Sequence, residues 1–254
     1  MPRIFESIHE WQEFRKSQTF EGKILGFVPT MGALHAGHGS LFGHARLEND
    51  FVLASIFVNP TQFNDPEDLR HYPKTLEHDL ALLKSKGVDF VLLPKFEELY
   101  ADQYRYRISE NELSKRLCGA SRPGHFDGVL SVVMKFLILA QAQRAYFGEK
   151  DHQQYLLIRG MAEAFFVPTQ IIPCPTVREA DGLAMSSRNA LLTSDEREKA
   201  PFFSKTLRDC SSLSVARLEL EQAGFRVDYL EEWNGRRFGA VFLGKVRLID
   251  NVAT

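Results

Sequence analysis

The stretch Phe51–Val58, FVLASIFV, constrains the fold more than any other part of this sequence, because serine is its only polar residue. A strand with one face in water alternates apolar and polar residues, whereas a strand covered on both faces stays apolar throughout. We therefore predict a strand of a parallel sheet that has helices on both sides. Similar apolar runs at residues 23–28, 88–93 and 145–147 predict further strands.

Helical patterns separate these strands. Residues 76–83 carry leucines at helical spacing, and residues 126–142 predict a buried helix. Ser7–Glu10 and Ser109–Glu112 match the capping-box pattern that opens a helix. The alternation of strands and helices over roughly the first 170 residues predicts an α/β domain with a doubly wound, Rossmann-like parallel sheet.

The pattern changes after the proline-rich stretch near residue 175. Helical patterns at residues 194–211 and 215–224 precede two strand patterns that flank Asn234-Gly235, a dipeptide typical of tight hairpins. We therefore predict two domains. Residues 1–176 form the Rossmann-like domain, and residues 177–254 form a small C-terminal α+β domain.

Composition limits the classes of function. The net charge of −2 provides no basic field for nucleic acid or an anionic membrane. Three cysteines without a C-x-x-C pair argue against a disulfide framework or a structural zinc site. The charged N-terminus does not resemble a secretory signal, and the apolar stretch at residues 129–142 is too short to span a bilayer. We expect a cytoplasmic protein that binds neither nucleic acid nor membrane.

The segment Val28–Leu41, VPTMGALHAGHGSL, follows a predicted strand and combines glycines with two histidines. A dinucleotide fingerprint needs glycine where Phe42 stands, and a P-loop needs lysine where His38 stands. A metal site at His35 and His38 lacks a third ligand nearby. Two interpretations remain open. One is a tight turn with two surface histidines, and the other is a nucleotide site in which backbone N–H groups and both imidazoles bind phosphate oxygens.

Two further segments have both a functional and a structural interpretation. Asn59 and Gln62 follow the strand at residues 51–58, where open α/β sheets bind ligands, but turn residues are expected there too. Arg122 and His125 can bind an anion, whereas Asp127 can cap the helix that follows.

Two more segments carry cationic side chains. Lys150 supplies a point charge at a second strand–glycine–helix junction, residues 147–154, which can also be a charged surface turn. Met185–Arg188 offers two hydroxyls and a guanidinium, which can clamp a triphosphate or belong to a serine-rich loop between domains.

Together these segments resemble a known family. Thr30–His38 resembles the H-x-G-H signature of the nucleotidylyltransferase superfamily, and the longer string PTMGALHAGHGSL resembles the pantothenate synthetase (pantoate–β-alanine ligase) family. Residues 55–63, 122–128, 147–154 and 178–189 resemble, in the same order, that family's FVNPxQF, RPGHFxGV, FGEKDxQQ and READGLAxSSRN motifs. Residues 247–251, RLIDN, resemble its closing motif. The resemblance covers nearly the whole chain, with a C-terminal domain shorter than usual for the family.

The resemblance implies ATP-dependent condensation of pantoate with β-alanine through pantoyl adenylate, which releases AMP and pyrophosphate. It also implies a homodimer, a C-terminal domain that acts as a lid, and Mg²⁺ held by the ATP phosphates. The catalytic residues that it implies are His35, His38, Lys150, Ser187 and Arg188. The ATP-binding residues that it implies are Met31, Gly32, Ala33, Leu34, His35, Ala36, Gly37, His38, Gly148, Glu149, Lys150, Asp151, Val177, Met185, Ser186, Ser187 and Arg188. The residues that it implies for pantoate or β-alanine are Pro29, Thr30, Met31, Gln62, Arg122 and Gln154.

Other functions stay open at this point. One is nucleotidyl transfer to a phosphorylated small molecule, against which the segments carrying Gln62 and Gln154 argue, because they suit an acid substrate. Another is a catalytically silent nucleotide-binding protein, against which the complete set of histidines, lysine and arginine argues. A fragment of a tRNA synthetase is disfavoured by the net charge. The role of Asp79 is also open, since it can reach toward ATP or its metal, or face solvent from its helix.

Overall fold

The computed structural model describes residues 1–254 and divides them into two compact units. The first unit contains residues 1–148 and 153–174, and the second contains residues 149–152 and 175–254. The second unit therefore includes a short segment, residues 149–152, that lies between two parts of the first unit along the chain.

A parallel sheet of six strands forms the centre of the first unit. Its strands are Arg3–Phe5 (β1), Leu25–Thr30 (β2), Phe51–Ile56 (β3), Phe90–Leu92 (β4), Arg144–Gly148 (β5) and Gln170–Cys174 (β6). They lie in the order β1-β4-β3-β2-β5-β6, which confirms the prediction of a doubly wound, Rossmann-like sheet. β3 pairs with a strand on each side, and its four central residues are buried, as the apolar run predicts.

Eleven α-helices follow one another along the chain. They are Ile8–Arg15 (α1), Ala36–Glu48 (α2), Pro66–Arg70 (α3), Leu76–Ser85 (α4), Phe96–Leu99 (α5), Cys118–Ser121 (α6), His125–Ala140 (α7), His152–Ala164 (α8), Ser194–Lys199 (α9), Pro201–Asp209 (α10) and Leu213–Gln222 (α11). Short 3₁₀ turns cover Gln18–Phe20, Pro60–Gln62, Leu113–Lys115, Glu149–Asp151 and Ser187–Leu191. None of the helices combines the length and the apolarity that crossing a bilayer requires.

The core of the first unit lies on both sides of its sheet. On one side, Val28, Phe42 and Leu83 belong to a fully buried apolar cluster that joins β2 to α2 and α4. Elsewhere Trp11 of α1 is fully buried, stacks edge-on against Phe5 and donates a hydrogen bond from its indole N–H to the Leu139 carbonyl at 2.7 Å. These contacts fix the strands, and the segments at residues 31–38, 57–63 and 149–154 follow the carboxyl ends of β2, β3 and β5.

The second unit contains a three-stranded antiparallel sheet, which confirms the predicted α+β character of this region. Its strands are Arg226–Trp233 (β7), Arg236–Leu243 (β8) and Val246–Ala253 (β9), in that order. Asn234 and Gly235 both have positive φ, 50° and 69°, as a two-residue hairpin between β7 and β8 requires. Helices α10 and α11 cover this sheet around the buried Phe203 and Leu220.

Three local predictions are wrong. Ser7 precedes α1, but its side chain caps no backbone N–H. No α-helix follows Ser109, because the Glu110 carboxylate accepts hydrogen bonds from the Glu112 and Ser114 N–H groups and holds a turn there instead. The single helix predicted over residues 194–211 is two helices that meet at Ala200, since Pro201 has no N–H to continue the helical hydrogen bonds.

Candidate active site

Three neighbouring strands of the first unit end at the same edge of the sheet. β2 lies between β3 and β5, and all three are parallel, so Thr30, Ile56 and Gly148 end on one side. The strand order also reverses at β2, because β3 and β4 lie on one side of it and β5 and β6 on the other. Open α/β sheets bind their ligands at such a point, outside the carboxyl ends of the strands.

The chain turns sharply as it leaves β2. Gly32 and Ala33 both have positive φ, 80° and 50°. The Gly32 N–H donates to the Thr30 hydroxyl at 3.2 Å, and that hydroxyl donates to the Ser55 carbonyl at 2.7 Å. A left-handed conformation is unfavourable for alanine by about 1–2 kcal/mol, so other contacts must stabilise this turn.

Asp79 provides those contacts from α4. Its Oδ2 accepts a hydrogen bond from the Ala33 N–H at 3.0 Å, and its Oδ1 accepts from the Leu34 N–H at 2.8 Å and from the Thr75 hydroxyl at 3.0 Å. Asp79 is only 1% exposed, so the solvent-facing alternative for this residue is wrong. Three donors compensate a buried carboxylate, and the carboxylate in turn fixes the backbone that leads to His35.

His35 and His38 cap the start of α2 reciprocally. The His35 Nδ1 accepts a hydrogen bond from the Gly37 N–H at 3.1 Å, and the His38 Nδ1 lies 3.3 Å from the His35 N–H that donates to it. The centroids of the two rings are 4.2 Å apart. A nitrogen that accepts from a backbone N–H carries no proton, so each neutral ring has its proton on Nε2. The cap thus makes Nε2–H a donor on both rings.

Gln62 lies in the 3₁₀ turn after β3, where Asn59 orients its side chain. The Asn59 Nδ2 donates to the Gln62 Oε1 at 3.1 Å and to the Gly128 carbonyl at 3.2 Å, while its Oδ1 accepts from the Tyr100 hydroxyl at 3.0 Å. Asn59 is 1% exposed. Burial raises the pKa of Tyr100 to about 12, so this phenol stays a donor. The Gln62 amide therefore presents its N–H₂ group away from Asn59.

The segment that precedes α7 holds the backbone of Gln62. The Gln62 carbonyl lies 2.8 Å from the His125 Nδ1 and 3.2 Å from an Arg122 guanidinium nitrogen that donates to it. A Cβ on Gly128 would lie 2.5 Å from the Thr61 carbonyl oxygen, so this helix approaches the turn as closely as glycine permits. Asp127 does not cap α7; Gly124 stands at the N-cap position with φ 78°.

Two adjacent glutamines of α8 have different surroundings. Gln153 is buried, donates to the Leu113 and Arg116 carbonyls at 2.8 and 2.7 Å, and accepts from the Cys118 N–H at 3.0 Å. Gln153 therefore fixes the segment before α6. Gln154 is half-buried. Sequence reasoning selected Gln154 and missed the structural contacts of Gln153, Asn59 and Tyr100, which join segments distant in sequence.

The second unit holds the other predicted residues in two segments. In the first, Glu149–Asp151 form a 3₁₀ turn in which the Lys150 Nζ lies 3.8 Å from an Asp151 carboxylate oxygen. In the second, the Met185 N–H donates to the Val177 carbonyl at 3.0 Å and closes a hairpin that turns at Gly182. The Ser186 hydroxyl then accepts from the Arg188 N–H at 3.2 Å and caps the turn that contains Ser187.

The structure thus brings the predicted residues together in two groups. In the first unit, the segment Pro29–His38 and Gly148 lie at one edge of the sheet, and Arg122 contacts Gln62. In the second unit, strand β9 packs against both the turn that carries Lys150 and the turn that carries Ser187 and Arg188. The approach of Lys150 to the histidine pair stays a prediction. No group of three or more His, Cys, Asp or Glu side chains is arranged to hold a metal ion.

A known protein family matches almost the whole chain. The model of a family described as pantoate-beta-alanine ligase matches residues 3–253. A protein of Bdellovibrio bacteriovorus named pantothenate synthetase is 53% identical over 252 residues, which cover 99% of both chains. One of the same name from Legionella pneumophila is 51% identical over 98% of both chains. The chain and these relatives therefore have nearly the same length.

Solved structures are similar over the same extent. A pantoate-beta-alanine ligase of Francisella tularensis, complexed with beta-gamma ATP and beta-alanine, has a TM-score of 0.95 and 43% identity. The comparison covers 100% of this chain and 98% of that one. A structure from Thermus thermophilus has a TM-score of 0.91 and 39% identity over 99% of both chains.

Proposed function

Since the chain belongs to the pantoate–β-alanine ligase family, we infer that it is an AMP-forming ligase that condenses pantoate with β-alanine. ATP drives the reaction, pantoyl adenylate is the intermediate, and AMP and pyrophosphate are released. The observation that carries this function is the whole-chain similarity to a ligase whose structure contains an ATP compound and β-alanine.

In the first step, a carboxylate oxygen of pantoate forms a bond to the α-phosphorus of ATP, and the bond from that phosphorus to the pyrophosphate oxygen breaks. Both reactants are anions, so positioning and charge neutralisation dominate the barrier. His35 and His38 donate from Nε2–H to phosphate oxygens. The reciprocal cap supports this role, because it fixes both tautomers before ATP arrives.

Cationic groups of the second unit take up the negative charge that moves onto pyrophosphate. Lys150, Ser187 and Arg188 bind the β- and γ-phosphates, with Glu149, Asp151 and Ser186 beside them. Backbone groups of the segment Met31–His38 and of Gly148, Val177 and Met185 seat the rest of ATP. Mg²⁺ enters with ATP as part of the substrate, because this ion keeps most of its waters and binds through phosphates.

The carboxylic acid substrate binds next to the exit of β2. Gln62, Gln154 and Arg122 bind the hydroxyls and carboxylate of pantoate, with the backbone of Pro29–Met31. The orientation of the Gln62 amide supports a donor role toward an anionic or hydroxyl oxygen. In the second step the amine of β-alanine attacks the acyl carbon, the carbon–oxygen bond to AMP breaks, and the amine gives up a proton as the amide forms.

Release of pyrophosphate that depends on pantoate tests this function. With ATP and Mg²⁺ alone the protein should release none, and pantoate should start the release without β-alanine. Adding β-alanine should then yield AMP and pantothenate in equal amounts. Equal release with and without pantoate would overturn the substrate assignment, and ATP binding without any release would indicate a silent nucleotide-binding protein.

We also propose that the ligase is a cytoplasmic homodimer in which residues 177–254 act as a lid domain. The second compact unit, which resumes at Pro175, supports a boundary near residue 176. Three free cysteines support a reducing compartment. Light scattering should give twice the mass of one chain, and a monomer that remains fully active would contradict the dimer.

A further inference from the structure

The last strand carries two adjacent buried polar residues that the proposed reaction does not use. Asp250 and Asn251 of β9 are each 3% exposed. Successive residues of a strand point to opposite sides, so two neighbours can hold two different segments of the chain. Buried polar side chains need partners, and the partners of this pair are informative.

Asn251 holds the turn that carries Lys150. Its Nδ2 donates to the carbonyl oxygens of Glu149 and Lys150, at 2.8 and 2.9 Å. Its Oδ1 accepts from the Arg236 guanidinium, which also lies 3.5 Å from the Glu149 carboxylate. The backbone of this turn is therefore attached to the sheet of the second unit through both protons of one amide.

Asp250 holds the hairpin that leads to Ser187 and Arg188. Its two carboxylate oxygens accept from the two terminal nitrogens of the Arg178 guanidinium, at 2.7 and 3.0 Å. The same guanidinium donates to the Gly182 carbonyl at 3.1 Å, across the hairpin that ends at Met185. A bidentate pair of this kind fixes orientation as well as distance.

We propose that Asp250 and Asn251 are positioning residues that hold the Lys150 turn and the Ser187–Arg188 turn in fixed relation to each other. This rests on the proposed functions of Lys150, Ser187 and Arg188. Neither residue contacts a substrate in this scheme. Both act by keeping the cations of the second unit at the spacing that a triphosphate requires, and a misplacement of about 1 Å can cost on the order of 10²-fold in rate.

The variant Asn251→Ala should slow pantoate-dependent pyrophosphate release by on the order of 10²-fold. The second half-reaction, measured with β-alanine and synthetic pantoyl adenylate, should change less than about twofold, because no triphosphate takes part in it. Asn251→Asp keeps the shape of the side chain but turns an oxygen toward the two carbonyls, and it should behave likewise.

Arg247→Gln is the matched control. This variant removes the ion pair between Arg247, near the other end of β9, and Asp228, in which a guanidinium nitrogen lies 2.8 Å from a carboxylate oxygen. It should not slow one half-reaction more than the other.

A double-mutant cycle shows whether Asn251 acts through Lys150. In a Lys150→Ala background, Asn251→Ala should reduce pyrophosphate release no further. Hydrogen–deuterium exchange of residues 149–151 should increase in Asn251→Ala and not in Arg247→Gln. Additive losses, unchanged exchange or an equal loss in both half-reactions would overturn the proposal.

Asp250→Asn tests the other segment. It removes the bidentate pair, so exchange should increase over residues 178–188 and the KM for ATP should rise while the second half-reaction is preserved. Unchanged exchange and KM would overturn the role of Asp250. If Lys150→Ala and Arg188→Ala both release pyrophosphate at the normal rate, the proposed site itself falls. If Lys150→Ala and Arg188→Ala are impaired but Asp250→Asn and Asn251→Ala are not, only the positioning proposal is contradicted.

Discussion

The Oδ1 of Asp79 accepts a hydrogen bond from the Leu34 N–H at 2.8 Å, across 45 residues of sequence. The other oxygen of the same carboxylate accepts from the preceding N–H, that of Ala33. His35 comes next in the chain and caps α2. The conformation of the histidine pair therefore depends on one buried carboxylate in a different helix.

Asp79→Asn should lower both stability and activity. An amide has one acceptor oxygen, so its N–H₂ group would face a backbone N–H and leave it unsatisfied, at a cost of about 1–3 kcal/mol in the free energy of unfolding. The kcat should fall by at least about tenfold as the loop shifts. Urea unfolding and steady-state kinetics measure both effects. Glu77→Gln, an exposed charge loss in the same helical turn, is the control, and equal behaviour of the two variants would contradict this role of Asp79.

His35→Asn should separate two roles of the His35 side chain, which are the cap of α2 and the proposed donation to a phosphate oxygen. Asparagine is a favourable N-cap residue, and its Oδ1 takes the place of Nδ1, so the free energy of unfolding should change little. Its side chain is too short to replace Nε2–H, and loss of one such donor costs about 10²- to 10³-fold in kcat. His35→Gln reaches the position of Nε2 but loses the cap. A His35→Asn variant with normal kcat would show that the ring serves only the helix.

Tyr100→Phe should weaken pantoate binding through Asn59. The buried phenol, with its pKa raised to about 12, donates to the Asn59 Oδ1, and its removal leaves the Thr61 hydroxyl as the remaining donor to that oxygen, so the amide that orients Gln62 is held less firmly. A lost hydrogen bond of about 1 kcal/mol corresponds to a rise of about fivefold in the KM for pantoate. Because the pKa is raised, Tyr100 remains protonated below about pH 11 and should contribute no titration to the wild-type profile. A larger effect on the KM for ATP than on that for pantoate would contradict this assignment.

The hairpin that precedes Met185 should loosen in acid. The Arg197 guanidinium donates to Asp181 at 2.6 Å and lowers the pKa of this carboxyl from its ordinary 3.8. A carboxyl whose pKa is lower in the folded protein adds stability above its unfolded pKa, and this is lost as pH falls through the folded value. Arg197→Gln should raise the pKa of Asp181, as followed by carboxyl NMR titration. Arg217→Gln, which removes an exposed pair with Glu221, should leave it unchanged.

Sequence patterns predict the parts of this molecule that depend on neighbouring residues. The apolar run at 51–58 predicts β3, because a strand buried on both faces requires apolar residues. Asn234-Gly235 predicts the hairpin, because a two-residue turn with positive φ favours asparagine and glycine. The same patterns do not predict β1 or β6, because β1 is only three residues long and β6 contains Pro173, a residue that is unfavourable in strands.

The contacts that shape the candidate site have no local signal. Asp79 with Leu34, Asn59 with Tyr100 and Asn251 with Lys150 join side chains to segments 41 to 101 residues away. An aspartate in a helix or an asparagine in a strand looks the same in sequence whether it meets solvent or a distant backbone. Motif resemblance therefore selects the proposed catalytic and binding residues, but it does not reveal which distant backbone groups Asp79, Asn59 and Asn251 contact.

The attachment of the Lys150 turn to Asn251 also has a consequence for synthesis on the ribosome. The hydrogen bond spans 101 residues, so the turn leaves the exit tunnel long before its partner is translated. The Rossmann-like sheet, complete at Cys174, can form while that turn still lacks its anchor. A nascent chain can therefore complete its parallel sheet well before Asn251 is available to donate to the Glu149 and Lys150 carbonyls, so the Lys150 turn is among the last parts of the fold to gain its tertiary contacts.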